Sequence, residues 1–198
     1  SESGDWMLKM KSGKTVPVKA KVPASASIEG EWDVSFPVRN STKQVRLKAG
    51  SWTENTDEDV KFFSGTATYS KEFTITAAQK AAGKRLLLDL GDVQNLARVR
   101  LNGKDLGVLW KAPYVADIGA ASIVGTNKLE LEVTNTWVNR IAGDEGKPQE
   151  QRVTWAGSAG RGRGGGAGGA AAGAQPQLLP AGLIGPVRIV TEMKIATI

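Results

Sequence analysis

An all-β chain folded as an antiparallel β-sandwich of jelly-roll type is what this sequence predicts, on three observations. Short runs of alternating apolar and polar residues recur along it, the period-two signature of strands with one buried face. Turn formers separate these runs at short intervals; Asn102-Gly103 is the clearest, because a tight hairpin turn needs two positive-φ positions. Almost no helical periodicity intervenes, so roughly eight to ten strands in two sheets are expected.

The elements follow in order. Trp6 to Met10 and Val16 to Ala20 flank Ser12-Gly13-Lys14 and predict a hairpin, which Val22-Pro23-Ala24 ends. Trp32, Val34 and Phe36 share one strand face, and Val45 and Leu47 make a short edge strand. Ala67, Tyr69, Phe73 and Ile75 share a longer face that Lys71 interrupts. Ala77 to Ala82 can make one helical turn. Leu86-Leu87-Leu88 is apolar enough to be buried on both sides, as a central strand is. Val99 and Leu101 lead into Asn102-Gly103, and Leu106, Val108 and Trp110 return with their side chains expected on the buried face. Leu129, Leu131 and Val133 alternate with Lys128, Glu130, Glu132 and Thr134; Val115 to Ile118, Pro186 to Val190 and Met193 to Ile198 complete the strands. Gly157 to Gln177 is a Gly/Ala-rich run with little to bury, and it reads as a flexible insertion between strands.

Composition narrows the chemistry. A chain of 198 residues can bury one substantial core. With neither His nor Cys it cannot build a Ser-His-Asp triad, a Cys-His dyad or a zinc site on imidazole or thiolate. The net charge of +6 comes from scattered Lys and Arg, which describes a mixed solvated surface. Arg161 and Arg163 in the glycine-rich run have no interleaved aromatics, so no nucleic-acid partner is expected, and no window has the apolar length of a membrane span.

Glycosidases use two carboxylates about 5 to 10 Å apart. Glu130 and Glu132 meet that spacing at about 7 Å along one strand face, but the solvated face of an amphipathic strand accounts for them, and no catalytic residue is expected. Sugar binding needs an aromatic platform beside planar polar groups. Trp137, Asn139, Arg140 and Asp144 supply both directly after a strand. In the alternative reading Trp137 plugs the end of the core while Arg140 and Asp144 pair to pin a loop. Further carbohydrate candidates are Lys111 and Tyr114 beside Pro113, Trp52 before an acidic loop, and Trp155 at the border of the insertion; Trp110 fits the buried phase of its strand. For a structural Ca²⁺ the donors on offer are Asp57, Asp59, Asp89 and Asp92, without EF-hand spacing.

Several runs in order, Ile28 to Phe36, Ser51 to Phe73, Val99 to Tyr114, Leu129 to Asp144 and Leu179 to Val190, resemble the carboxy-terminal galactose-binding-like β-sandwich of the α-L-rhamnosidases of glycoside hydrolase family 106. More distantly they resemble the sugar-binding jelly roll of the family 2 glycosidases. The resemblance makes Asn135-Thr136-Trp137-Val138-Asn139-Arg140, with Gly143-Asp144, a hallmark surface near sugar or a neighbouring domain. It implies that the hairpin, within residues 1–25, is an appendage that completes a preceding domain, that residues 26–198 form the sandwich, and that catalysis lies in a separate barrel. It further implies a non-catalytic module orienting or retaining plant or pectic polysaccharide, with a purely structural brace as the alternative, in a periplasmic or secreted enzyme. The implied partners are a polysaccharide or oligosaccharide and the catalytic domain of the same chain.

Overall fold

The computed structural model describes residues 4–20, 25–39, 41–145, 147–154 and 178–193. Along the chain run β1 (Gly4–Lys9), β2 (Thr15–Ala20), β3 (Ala26–Ser27), β4 (Trp32–Val38), β5 (Ser41–Leu47), the short helix α1 (Glu58–Lys61), β6 (Thr66–Ile75), β7 (Lys84–Asp89), β8 (Asp92–Gln94), β9 (Leu96–Leu101), β10 (Lys104–Leu109), β11 (Val115–Asp117), β12 (Gly125–Thr134), α2 (Val138–Asp144), β13 (Gly182–Gly185) and β14 (Arg188–Met193). The strands outnumber the expectation because β3, β8 and β13 are too short to show a period, and most of the strand expected at Met193 to Ile198 lies outside the described residues. The insertion expected at 157–177 lies outside the described residues.

Strands β1 and β2 pair as an antiparallel hairpin, with Trp6, Met7 and Leu8 exposed. The large sheet has the order β10-β9-β12-β6-β4-β5, antiparallel throughout. Facing it are a four-stranded sheet, β11-β7-β14-β3, and the pair β13-β8. The core lies between them and draws on both layers: Trp32, Val34, Tyr69, Val99, Leu129 and Leu131 from one side, Leu86, Leu88, Leu183 and Ile189 from the other. Leu86-Leu87-Leu88 is buried throughout, as expected of β7, which lies inside its sheet between β11 and β14. Lys71 keeps the apolar face of β6 intact by carrying its ammonium out to the carbonyl of Glu31, 5.5 Å from the centre of the Trp32 ring.

The β9–β10 hairpin forms as read, with positive φ at both Asn102 and Gly103. Its return strand departs from the expected alternation. A bulge shifts the register between Asp105 and Gly107, where Gly107 has φ of 95° and its amide donates to Asp105 Oδ1 at 3.0 Å. One extra residue inverts the faces downstream. Leu106 and Leu109 pack against the core, whereas Val108 and Trp110 are turned outward, Trp110 being 69% exposed. Trp110 is therefore a surface residue and not the core residue its spacing suggested. Arg98 pairs with Asp105, and this bond, helped by the Gly107 amide, holds the Asp105 carboxyl down at about 2.

Candidate functional site

Strand register gathers most of the candidate residues at one end of the sandwich. Thr66 lies opposite Thr134 and Thr134 opposite Leu96, so the segment before β6, the segment after β12 and the end of β10 all emerge there. Beneath this end is an aromatic cluster. Trp52 meets Phe36 and Phe63 edge to face at centroid distances of 5.2 and 5.5 Å. Its Nε1 donates to the Tyr69 hydroxyl, which also accepts from the Leu183 amide at 3.3 Å. Trp52 is only 1% exposed, so this carbohydrate candidate is corrected to a core residue. Burial pushes the Tyr69 hydroxyl up to about 12 against those two donors.

Helix α2 crosses the end with its faces inverted. Asn139, Gly143 and Asp144 are buried and Arg140 nearly so, while Trp137, Val138 and Ile141 face solvent. The inward groups are engaged one by one. Asn139 brackets residue 179, its Nδ2 donating to the Leu179 carbonyl at 2.7 Å and its Oδ1 accepting from the Leu179 amide at 2.9 Å. Arg140 Nη2 donates to Asp144 Oδ1 at 2.8 Å, one turn on. Asp144 Oδ2 takes the amides of Val153 and Thr154 and the Thr154 hydroxyl, at 3.0, 2.6 and 2.7 Å. Burial alone would raise the Asp144 carboxyl, but the Thr154 donors, Arg140 and the Val153 amide outweigh it and hold the group below its usual range. Gly143 lets the helix approach: a Cβ there would stand 2.4 Å from the Phe62 ring. Lys61, Arg140 and Lys147 place cationic groups 5.5 to 5.9 Å from that ring's centre.

The structure thus divides the Asn135 to Asp144 hallmark. Asn139, Arg140 and Asp144, candidates for sugar contact, pin α2, 179 and 153–154, while Arg140 also lines a small pocket with Arg39, Ser64 and Val153 and has a buried Nε without a hydrogen-bond partner. Trp137 is 61% exposed, so it does not plug the core. Asn135 ties the neighbouring loop, its Nδ2 donating to the Phe63 carbonyl and its Oδ1 accepting from the Gly65 amide.

Elsewhere at this end Lys111 is exposed, with its ammonium 5.2 Å from the centre of the Trp110 ring, and the Tyr114 hydroxyl donates to the Asn95 carbonyl at 3.1 Å. Trp155 lies outside the described residues. The calcium candidates are not gathered for an ion. Lys43 fills the space between Asp57 and Asp59, at 2.6 and 2.9 Å, while Asp89 caps the Gly91 amide and Asp92 binds the Gln94 side chain. Among the described residues no three acidic side chains cluster as a cation would need. Glu130 pairs with Lys128 and Glu132 with Arg100.

A family model for the glycosyl hydrolase 2 galactose-binding domain-like domain matches residues 32–166. The chain belongs to that family. This galactose-binding-like domain is 43% identical over 150 residues to a putative β-glucuronidase of Formosa agariphila, covering 73% of the chain and 13% of the relative. It superposes on a rhamnosidase from Novosphingobium sp. PP1Y with a TM-score of 0.73 and 39% identity, covering 91% of the chain and 16% of that structure. A Lactobacillus rhamnosus β-glucuronidase, at 23% identity and a TM-score of 0.51, shares the fold. The chain therefore spans about a sixth or less of the first two of these proteins.

What the loop end of the domain can do follows from what it leaves exposed. The outward groups of α2 and the residue before it are Trp137, Val138 and Ile141, with Leu179 and Val153, held by Asn139 and Asp144, exposed beside them and Lys111 exposed at the same end. Sequence reading did not single out Val138, Ile141 or Phe62. The signal was there in the spacing of Asn139, Arg140, Gly143 and Asp144, which puts every polar position on one helical face.

Proposed function

We propose that this galactose-binding-like domain is a non-catalytic module of a larger glycoside hydrolase of the α-L-rhamnosidase type, family 106. The single observation that carries the reading is the 39% identity, across nearly the whole chain, to a rhamnosidase of which it covers 16%. The ion-paired state of Glu130 and Glu132 agrees with chemistry done elsewhere in such an enzyme. The loop end supports a bracing role: α2 is held from behind and presents Trp137, Val138 and Ile141, a surface suited to another domain of the same polypeptide. The β1–β2 hairpin, with apolar residues exposed on a two-stranded sheet, belongs to the same reading as a piece completed by a neighbouring domain. A periplasmic or secreted enzyme acting on plant or pectic polysaccharide goes with it.

A second reading, a module that itself retains polysaccharide, is favoured by the exposed Trp110 with Lys111 over its ring. Affinity electrophoresis in pectic polysaccharide separates the two. Retardation that Trp110→Ala abolishes supports retention at that ring, and an unshifted band supports the brace. Turnover of an aryl α-L-rhamnoside by the purified chain, lost on Glu130→Gln or Glu132→Gln, would overturn the non-catalytic reading altogether.

A further inference from the structure

A small pocket of about 70 Å³ lies where α2 meets the β4–β5 turn and the segment after α1. Phe63 and Val153 give it apolar walls, and Ser64 borders it with its hydroxyl proton already given to the Thr136 carbonyl at 2.9 Å. Two guanidinium groups line it, those of Arg39 and Arg140. Arg39 stands in the turn with φ of 46°, a left-handed backbone that a residue with a side chain adopts at a cost. Its Nη2 donates to the Gln151 carbonyl at 3.0 Å, and among the described residues no carboxylate pairs with it. Arg140 donates to Asp144 Oδ1 through Nη2, and its Nε is buried without a partner. The one acid of the lining, Asp59, is held by Lys43 at 2.9 Å.

A guanidinium N–H that is buried without an acceptor is costly, and rare enough to call for a partner. Guanidinium donors are arranged as a planar fork that matches the two oxygens of a carboxylate, and apolar walls strengthen such a bond. The pocket is well below the volume of about 300 Å³ at which small-molecule sites begin, so it suits the head of a side chain and not a whole ligand. Val153 belongs both to its wall and to the exposed apolar surface beside α2, which places the pocket at the margin of that surface. We infer that the pocket between Arg39 and Arg140 is a socket for a carboxylate, the side chain of an Asp or Glu on the domain that packs against α2. That the carboxylate belongs to another domain rests on the bracing reading; the pocket and its unspent donors do not. An acid seated there would fix the register of a contact that the apolar residues alone leave free to slide.

The test is an NMR titration of the arginine Nε–H resonances of the whole chain with sodium acetate, at an ionic strength held constant with sodium chloride, and separately with acetamide as the uncharged counterpart. The Nε–H signals of Arg39 and Arg140 should shift and saturate with acetate, with a Kd on the order of 10 mM, and acetamide should leave them in place. Arg39→Gln, at an exposed turn position, should raise the acetate Kd about tenfold as read from the Arg140 signal. Arg140→Lys keeps a cation beside Asp144 but removes the fork, and should do the same as read from Arg39, so the inference stays testable if either variant fails to fold. Lys104→Gln, on an exposed position of β10, should leave the affinity unchanged. The inference is overturned if neither signal shows a saturable shift at up to about 100 mM acetate, if acetamide acts as acetate does, or if binding survives both arginine variants. Absence of acetate binding removes the socket and leaves the brace; acetate binding by a chain shown to exist alone would keep the carboxylate site and overturn its domain-borne occupant together with the brace.

Discussion

At the scale of single residues, two buried polar groups decide most of the chemistry under the loop end. Tyr69 accepts from both Trp52 Nε1 and the Leu183 amide, so Tyr69→Phe strands two buried donors and should cost about 1 to 3 kcal/mol in denaturant unfolding. The raised Tyr69 group stays protonated in the fold after its unfolded counterpart has lost its proton near 10. Its stabilisation is complete below pH 10 and declines as pH rises toward about 12. The phenylalanine variant should lose that alkaline dependence. Asp144 has the opposite sign. Its carboxyl is held below the usual range, so its contribution is present above pH 4 and disappears as pH falls through the lowered value. Asp144→Ala leaves Arg140 buried and unpaired and frees the 153–154 segment, and a loss of about 3 to 5 kcal/mol is expected.

At the scale of elements, α2 and β10 show what a strand-minded reading of the sequence does and does not carry. The alternating residues of β4, β6, β9 and β12 were legible because each strand buries one face over several residues, and the Asn102-Gly103 turn was legible because its φ values need those residue types. Strand β10 was misread after Asp105, since a bulge adds one residue that hydrophobic spacing alone does not reveal. Trp110 then costs nothing to remove from the fold, and Trp110→Ala should leave stability within about 0.5 kcal/mol. Helix α2 was legible in its Arg140–Asp144 pairing option, and the spacing of Asn139, Arg140, Gly143 and Asp144 carried its two faces, but a reading in terms of strands passed over that helical spacing. Gly143→Ala tests its seating. In an exposed helix that change stabilises by up to about 1 kcal/mol; against the Phe62 ring it should destabilise by about 1 to 3 kcal/mol, read from the melting curve. Ile141→Ser on the open side should leave the melting temperature of the isolated chain unchanged.

At the scale of the whole molecule, the chain is a sandwich with an inside-out helix at one end, which fits the proposal that it is one module of a longer enzyme. The large sheet and its opposing layers account for stability, and the pinned loop end accounts for rigidity. The sequence conveyed the architecture through periodicity and the galactose-binding-like character of the domain through ordered runs. It could not convey which polar residues of the hallmark were spent inside, since that depends on contacts with residues 153–154 and 179, brought close only by the fold. The central claim is that the chain works as a module within a much longer glycoside hydrolase. Precipitation from source-cell extracts with an antibody against this chain, followed by sizing of the captured polypeptide and an α-L-rhamnosidase assay of the precipitate, tests it most directly. The account predicts a polypeptide several-fold larger than 20.9 kDa that carries rhamnosidase activity; a species of 20.9 kDa, or a large one without glycosidase activity, would contradict it.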